Sequence, residues 1–363
     1  MTIYDIQVVM LLLLIAISQS TDNVETKKCC FSLGVLLLGI VLFFRTYRIG
    51  SDLGAYHVHY DRCGSMSIPE ILQYYKMNNI GFYIYNHLFY RITNGNYQIF
   101  ISFTALITLV PVIRLILKSV GYSNYSLFVY VCFGYYAFQF SGLKQALATA
   151  MLTFAYMSIV KKRRTSFIFW VLIGSLFHIP CLIFLPAYFI AHKKPDALFA
   201  ITSVIIVAII FVMRGQIVNR FQDDYRSVVD LNGSIAAGGK VLLIALIVGF
   251  GFLFCLPRDF STNEIVILWR FMIVSAILQT FANFGNVFER LADYYFFFTI
   301  IYIPRLITVQ MYDTEESNIE ARIILDKNNQ YLVVMLITLA LLGYYCVYNR
   351  NIPGLNPYST WLN

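Results

Sequence analysis

The side chains able to do chemistry in this chain fall into five short groups, most of them at the edges of long apolar runs. Arg45, Arg48, Gly50, Asp52 and Tyr56 follow an early run, and Lys144 and Gln145 open a middle one behind Ser141 and Gly142. His178 stands between Phe177 and the Ile179-Pro180 pair, and Glu289, Arg290, Asp293, Tyr294 and Tyr295 open a late run. Asp223, Asp224, Arg226 and Asp230 lie in a polar stretch that reads as a solvated lid. The arginine fork matches a phosphate group, and a lysine opening a helix should face water, protein or an anion rather than lipid. Arg290 and Lys144 are therefore the first candidates for a phosphorylated or diphosphate ligand, with Arg45, Arg48 and Arg214 in support. The competing reading is that these arginines snorkel to lipid headgroups. His178 is a candidate acid/base or hydroxyl-positioning group, or else a histidine that merely satisfies hydrogen bonds, and Asp52 is either a base or an ion partner of its arginine neighbours. Arg290 and Tyr294, four residues apart, share a helix face. The alternative there is an ion pair of Arg290 with Glu289 or Asp293.

The elements that must carry these groups are membrane helices. The chain has 363 residues, of which 59% are hydrophobic and 13% charged, and its mean hydropathy is +0.68. A soluble protein carries about 25% charged residues, so a soluble enzyme, a secreted disulfide scaffold and a disordered tail are all excluded. The net charge of +8 comes from Lys and Arg that flank apolar runs, which excludes a nucleic-acid partner and points to membrane orientation and lipid headgroups. Cut at charge clusters, the apolar runs give about twelve spans: 3–19, 30–44, 98–117, 124–140, 143–160, 166–177, 179–191, 197–213, 240–256, 265–283, 291–309 and 331–349. The first lacks a basic leader and a small-residue cleavage site, and it reads as a retained span. The expected architecture is all-α, one polytopic domain over 1–363, with two larger extracytoplasmic loops at 45–96 and 214–240.

Lys27 and Lys28, Lys161 to Arg164, and Lys193 with Lys194 fall on one side, which the positive-inside rule makes cytoplasmic. The opposite face carries both loops and nine Arg (45, 48, 62, 91, 214, 220, 226, 290, 350) against three Lys (76, 144, 240), so function is expected there. Within the first loop, Gly81 to Thr93 is amphipathic and rich in aromatics (Phe82, Tyr83, Tyr85, Phe89, Tyr90), and reads as a helix lying at the membrane interface; Tyr74 and Tyr75 extend its surface. The two apolar arms within 166–191 are each about 20 Å long at 1.5 Å per residue, short of a bilayer core of about 30 Å. His178, at their junction, is expected at a helix break facing a cavity. The cysteines are expected as free thiols, with no metal or cofactor, and no GxxxxGK[ST], GxSxG, HExxH or CxxC pattern occurs.

Arg45 or Arg48, Gly50, Asp52 and Tyr56; then Gly142, Lys144, Gln145 and Ala148; then Phe177 and His178; then Arg290 and Tyr294: this ordered set resembles the signature of the EpsG family, Wzy-type polymerases of bacterial surface polysaccharides. The resemblance covers most of the chain, with two departures: Lys144 stands where an Arg is expected, and Asn79 where an acid is common. It implies a GT-C-like, metal-independent glycosyltransferase in the bacterial plasma (inner) membrane, with its site facing the periplasm or cell exterior. The implied substrates are undecaprenyl-diphosphate-linked oligosaccharide donor and acceptor, and the product O-antigen, capsule or exopolysaccharide. A chain-length regulator is a possible partner alongside membrane lipids. Arg290 and Lys144 would hold the diphosphate, His178 and then Asp52 would act on the acceptor hydroxyl, and Tyr56, Gln145 and Tyr294 would complete the contacts. Two alternatives share much of this pattern. A lipid-linked glycan ligase would use nearly the same outer site, whereas a flippase or exporter would line a path open to both faces with cations.

Overall fold

A computed structural model of the protein describes residues 2–192, 236–255, 264–282, 286–311, 327–352 and 354–362. Among these residues every extended regular element is a helix, apart from one isolated bridge between Arg45 and Thr360. Apolar runs in lipid must satisfy their own backbone groups, and a helix does so within one segment. Four helices are long and apolar enough to cross a membrane: Val24–Phe44, Tyr97–Val120, Leu143–Val160 and Asn329–Asn349. Shorter apolar helices cover Ile3–Gln19, Arg164–Phe177, Ile179–His192 and Gly239–Leu253. The chain is thus an α-helical membrane protein.

It divides into two compact units, Met1–Leu182 with Tyr331–Asn363, and Ile183–Gln330. The first begins with α1 (Ile3–Gln19) and α2 (Val24–Phe44). The segment 45–96, expected as a loop carrying one helix, holds three, α3 (Leu53–Ser65), α4 (Ile68–Tyr75) and α5 (Ile80–Thr93), which form a helical cap. Local sequence dictates these boundaries. Ser67 and Glu70 form a capping box at the start of α4, whereas Lys76 (φ 46°) and Asn79 (φ 52°) adopt left-handed conformations that separate α4 from α5. The aromatic helix lies where the sequence placed it, but Phe82 and Tyr83 are buried in protein, in a core with Tyr60, Cys63, Ile71, Phe100 and Leu147. Its aromatics pack on neighbouring helices because α3 and α6 (Tyr97–Val120) offer a complementary apolar surface.

The run at 124–140 is two helices, α7 (Asn124–Cys132) and α8 (Tyr135–Ser141), broken at Gly134 with φ 80°. Asn349 Nδ2 donates to the Cys132 carbonyl freed by this break, at 2.8 Å. Then come α9 (Leu143–Val160) and α10 (Arg164–Phe177), which ends where His178 turns extended (φ −151°, ψ 104°) before a 3-10 turn at Ile179–Phe184. The expected helix break at His178 is therefore present.

The second unit holds α11 (Ala187–His192), α12 (Ala236–Phe250), α13 (Glu264–Gln279), α14 (Asn286–Phe296) and α15 (Thr299–Met311). Phe184, Phe271, Tyr295 and Phe298 form its aromatic centre. Arg270 Nη1 donates to the Ile190 and Ala191 carbonyls, and Arg305 pairs with Glu264. The span expected at 197–213 and most of the 214–240 loop, including Arg214, Asp223, Asp224, Arg226 and Asp230, lie outside the described residues. The final helix, α16 (Lys327–Tyr344), returns the chain to the first unit.

Candidate functional site

The break between α8 and α9 places Lys144 in the first turn of α9. A Cβ at Gly142 would lie 2.1 Å from the Phe138 ring, so any larger residue there would have to displace that ring. Ser141 Oγ accepts from the Ser51 N–H at 3.1 Å, tying the turn to the segment leading into the cap. From there Lys144 Nζ donates to Tyr83 Oη at 2.8 Å and lies 4.6, 5.2 and 5.7 Å from the ring centroids of Tyr83, Phe82 and Tyr56. Aromatic faces stabilise a compact ammonium from several sides at once, which accounts for lysine where the family pattern leads one to expect arginine. Tyr83 stacks on Tyr75 with centroids 3.4 Å apart, and Tyr75 Oη meets His59 Nδ1 at 3.0 Å. Burial, then the nearby Lys144 and Arg62 charges, hold the His59 imidazole below its ordinary pKa. Burial likewise pushes the Cys63 thiol up. Arg62 bonds Tyr74 Oη, and the nearby acid Asp61 faces His57 at 3.6 Å. The result is an ammonium faced with rings, chemistry suited to an anion at Lys144 and to a sugar face on the aromatics beside it.

Of the residues singled out in sequence, Tyr56 and Lys144 meet in this cluster. Gln145, beside Lys144, is buried, and its Oε1 has no hydrogen-bond partner among the described residues. Asp52 precedes α3 and accepts from Ser51 Oγ at 3.3 Å. Asn79 has a role that its sequence position did not suggest: its Oδ1 accepts from the Ile179 N–H at 3.0 Å, joining the cap to the chain just after His178. Gly81 makes that approach possible, since a Cβ there would lie 2.7 Å from Leu176 Cβ.

The two arginines of the first group part company. Arg45 is 0% exposed, donates from Nη1 to the Gln139 carbonyl at 3.0 Å and lies 4.6 Å from the Phe140 centroid. Burial pushes its pKa down to about 10, so it stays charged at neutral pH. Arg48 is exposed on a groove of about 920 Å³ whose walls include Phe44, Phe103 and Trp361. Arg45→Ala should cost about 3 kcal/mol of stability through the cavity it leaves, read as earlier thermal unfolding of the purified protein. Arg48→Ala should unfold within about 0.5 kcal/mol of wild type, as exposed substitutions do.

In the second unit, Arg290 and Tyr294 share α14, but Arg290 is exposed and Tyr294 is 1% exposed. The edge of the unit's core falls between two side chains that helical spacing alone puts on one face. Glu289 and Asp293 both bond the buried Lys240 Nζ of α12, at 3.0 and 2.7 Å.

Sequence reasoning passed over His59, and read Arg62 only as one of the outer-face arginines and Cys63 only as a free thiol. A signal was present, since Tyr56, His59 and Cys63 recur at helical spacing and mark one face of α3. The model of the EpsG family matches residues 28–360 of the chain. No curated protein and no solved structure matches it.

Proposed function

Because the chain belongs to the EpsG family, which is associated with Wzy-type polymerases and exopolysaccharide biosynthesis, we propose that it joins undecaprenyl-diphosphate-linked oligosaccharide repeat units into O-antigen, capsule or exopolysaccharide on the outer face of the plasma membrane. In this reading about twelve spans form a GT-C-like body, and catalysis is metal-independent. The observation that carries it is the Lys144 ammonium held among Tyr56, Phe82 and Tyr83 beneath the helical cap. Transfer forms a bond from the acceptor hydroxyl oxygen to the donor anomeric carbon and breaks the bond from that carbon to the diphosphate. The electron pair leaves with the diphosphate, whose growing charge a fixed cation stabilises. Rings beside the cation present faces on which sugars stack. Arg290 is the proposed phosphate contact of the second unit, and Arg48 a supporting one in the first. His178 and Asp52 are the proposed groups for aligning the acceptor hydroxyl.

The test is gel analysis of surface polysaccharide from a deletion strain carrying wild type or Arg290→Ala. An exposed arginine can be removed with little effect on folding. The expected result is full membrane levels of the variant, loss of the ladder above one repeat unit, and a persisting single capped unit. Loss of even the single unit would instead indicate ligation or translocation, and an unchanged ladder would remove Arg290 from the site.

A further inference from the structure

We propose that His59 is the base that takes the proton of the acceptor hydroxyl, working beside Lys144 from the opposite end of the Tyr75–Tyr83 stack. The inference deepens the proposed function and rests on it. Four elements converge to place this imidazole. His59 comes from α3, its Nδ1 meets Tyr75 Oη of α4 at 3.0 Å, and its ring lies edge-on to Tyr83 of α5 at 5.5 Å. Tyr83 Oη in turn receives the Lys144 ammonium of α9 at 2.8 Å. Among the described residues the hydrogen bond to Tyr75 is the one the ring makes, which leaves Nε2 as the nitrogen available to a substrate. With Nδ1–H donating to Tyr75, Nε2 carries the lone pair that a base requires.

The titratable and charged groups around the ring are Arg62 and Cys63 on α3, Tyr75 on α4, Tyr83 on α5 and Lys144 on α9. Burial, Lys144 and Arg62 all favour the neutral imidazole, so the base form is present at neutral pH before substrate arrives. A diphosphate beside Lys144 reverses the local sign and favours the imidazolium as the reaction proceeds. The acceptor oxygen bonds to the anomeric carbon, the diphosphate departs with the electron pair, and the hydroxyl proton moves to Nε2. Loss of that proton to solvent restores neutral His59.

The test uses the full chain reconstituted in vesicles with lipid-linked repeat units. His59→Asn keeps a polar atom near the Nδ1 position for Tyr75 and removes Nε2. It should lower kcat about 100-fold, as expected for loss of a general base, with KM nearly unchanged and the acid limb of the pH–rate profile abolished. Arg62→Gln removes one of the charges that depress the imidazole, so it should move that acid limb to higher pH. A His59→Asn protein that folds and retains wild-type kcat, or an acid limb indifferent to Arg62→Gln, overturns the assignment. If wild-type protein builds no polymer from these units, the polymerase reading itself fails, a result distinct from either variant's.

Discussion

A Lys144→Met chain should reach the membrane at wild-type levels and build almost no polymer, with kcat/KM down about 1000-fold. Methionine keeps an unbranched apolar stem of similar length, so the packing against Tyr56, Phe82 and Tyr83 is largely retained. What disappears is the charge, together with the bond to Tyr83 Oη. If the leaving diphosphate is stabilised from this position, neither Arg62 nor Arg45 takes over: Arg62 is engaged with Tyr74, and Arg45 is sealed in the core. Lys144→Arg should recover part of the activity, because charge returns on a group too broad for a space shaped around an ammonium. The measurement pairs an immunoblot of the membrane fraction with the chain-length distribution of the polysaccharide. Full-length chains from the methionine variant would remove Lys144 from the chemistry.

Gly50→Ala should fail earlier, at folding. Gly50 has φ 132°, and a Cβ there would sit 2.0 Å from the Phe140 carbonyl oxygen. That neighbour is backbone and cannot rotate away. The Gly50 N–H also donates to the Gly354 carbonyl at 2.9 Å, so displacement would break the seam between the entrance to the cap and the C-terminal segment. Backbone strain and overpacking together should cost roughly 4 kcal/mol, enough to deplete the protein from the membrane. The check is the amount of variant in the membrane fraction at low temperature and at 37 °C. Wild-type levels with wild-type thermal unfolding would mean that the Gly50 turn is more pliant than its geometry indicates. This glycine stands two residues before Asp52 in the family signature, and its close packing gives it an architectural reason for being there.

The neighbouring arginines show how far sequence reasoning reached. Arg45 and Arg48 are three residues apart at the end of one apolar run, and by type and spacing they were equivalent phosphate ligands. One is the buried partner of Gln139 and Phe140, the other borders an open groove. Chain direction after Phe44 decides this, because Gly50, Gly354 and the Arg45–Thr360 bridge fold the segment back over α8. Asn79 is a similar case. Read locally, it lacked the carboxylate that chemistry would want; folded, it accepts the backbone N–H that follows His178.

The sequence alone determined the membrane class, the helical content, the break at His178 and the helix at residues 81–93. These follow from local properties: apolar runs must satisfy their own backbone in lipid, and glycine, proline and capping residues act on the turn in which they stand. Only the tertiary structure decided the partners. Tyr83 and Lys144 are 61 residues apart, Lys240 and Glu289 are 49 apart, and nothing in hydropathy or spacing selects those pairs from the many tyrosines, lysines and acids available. Their meeting depends on how whole helices approach one another, which is set by the summed fit of apolar surfaces far from the polar groups themselves.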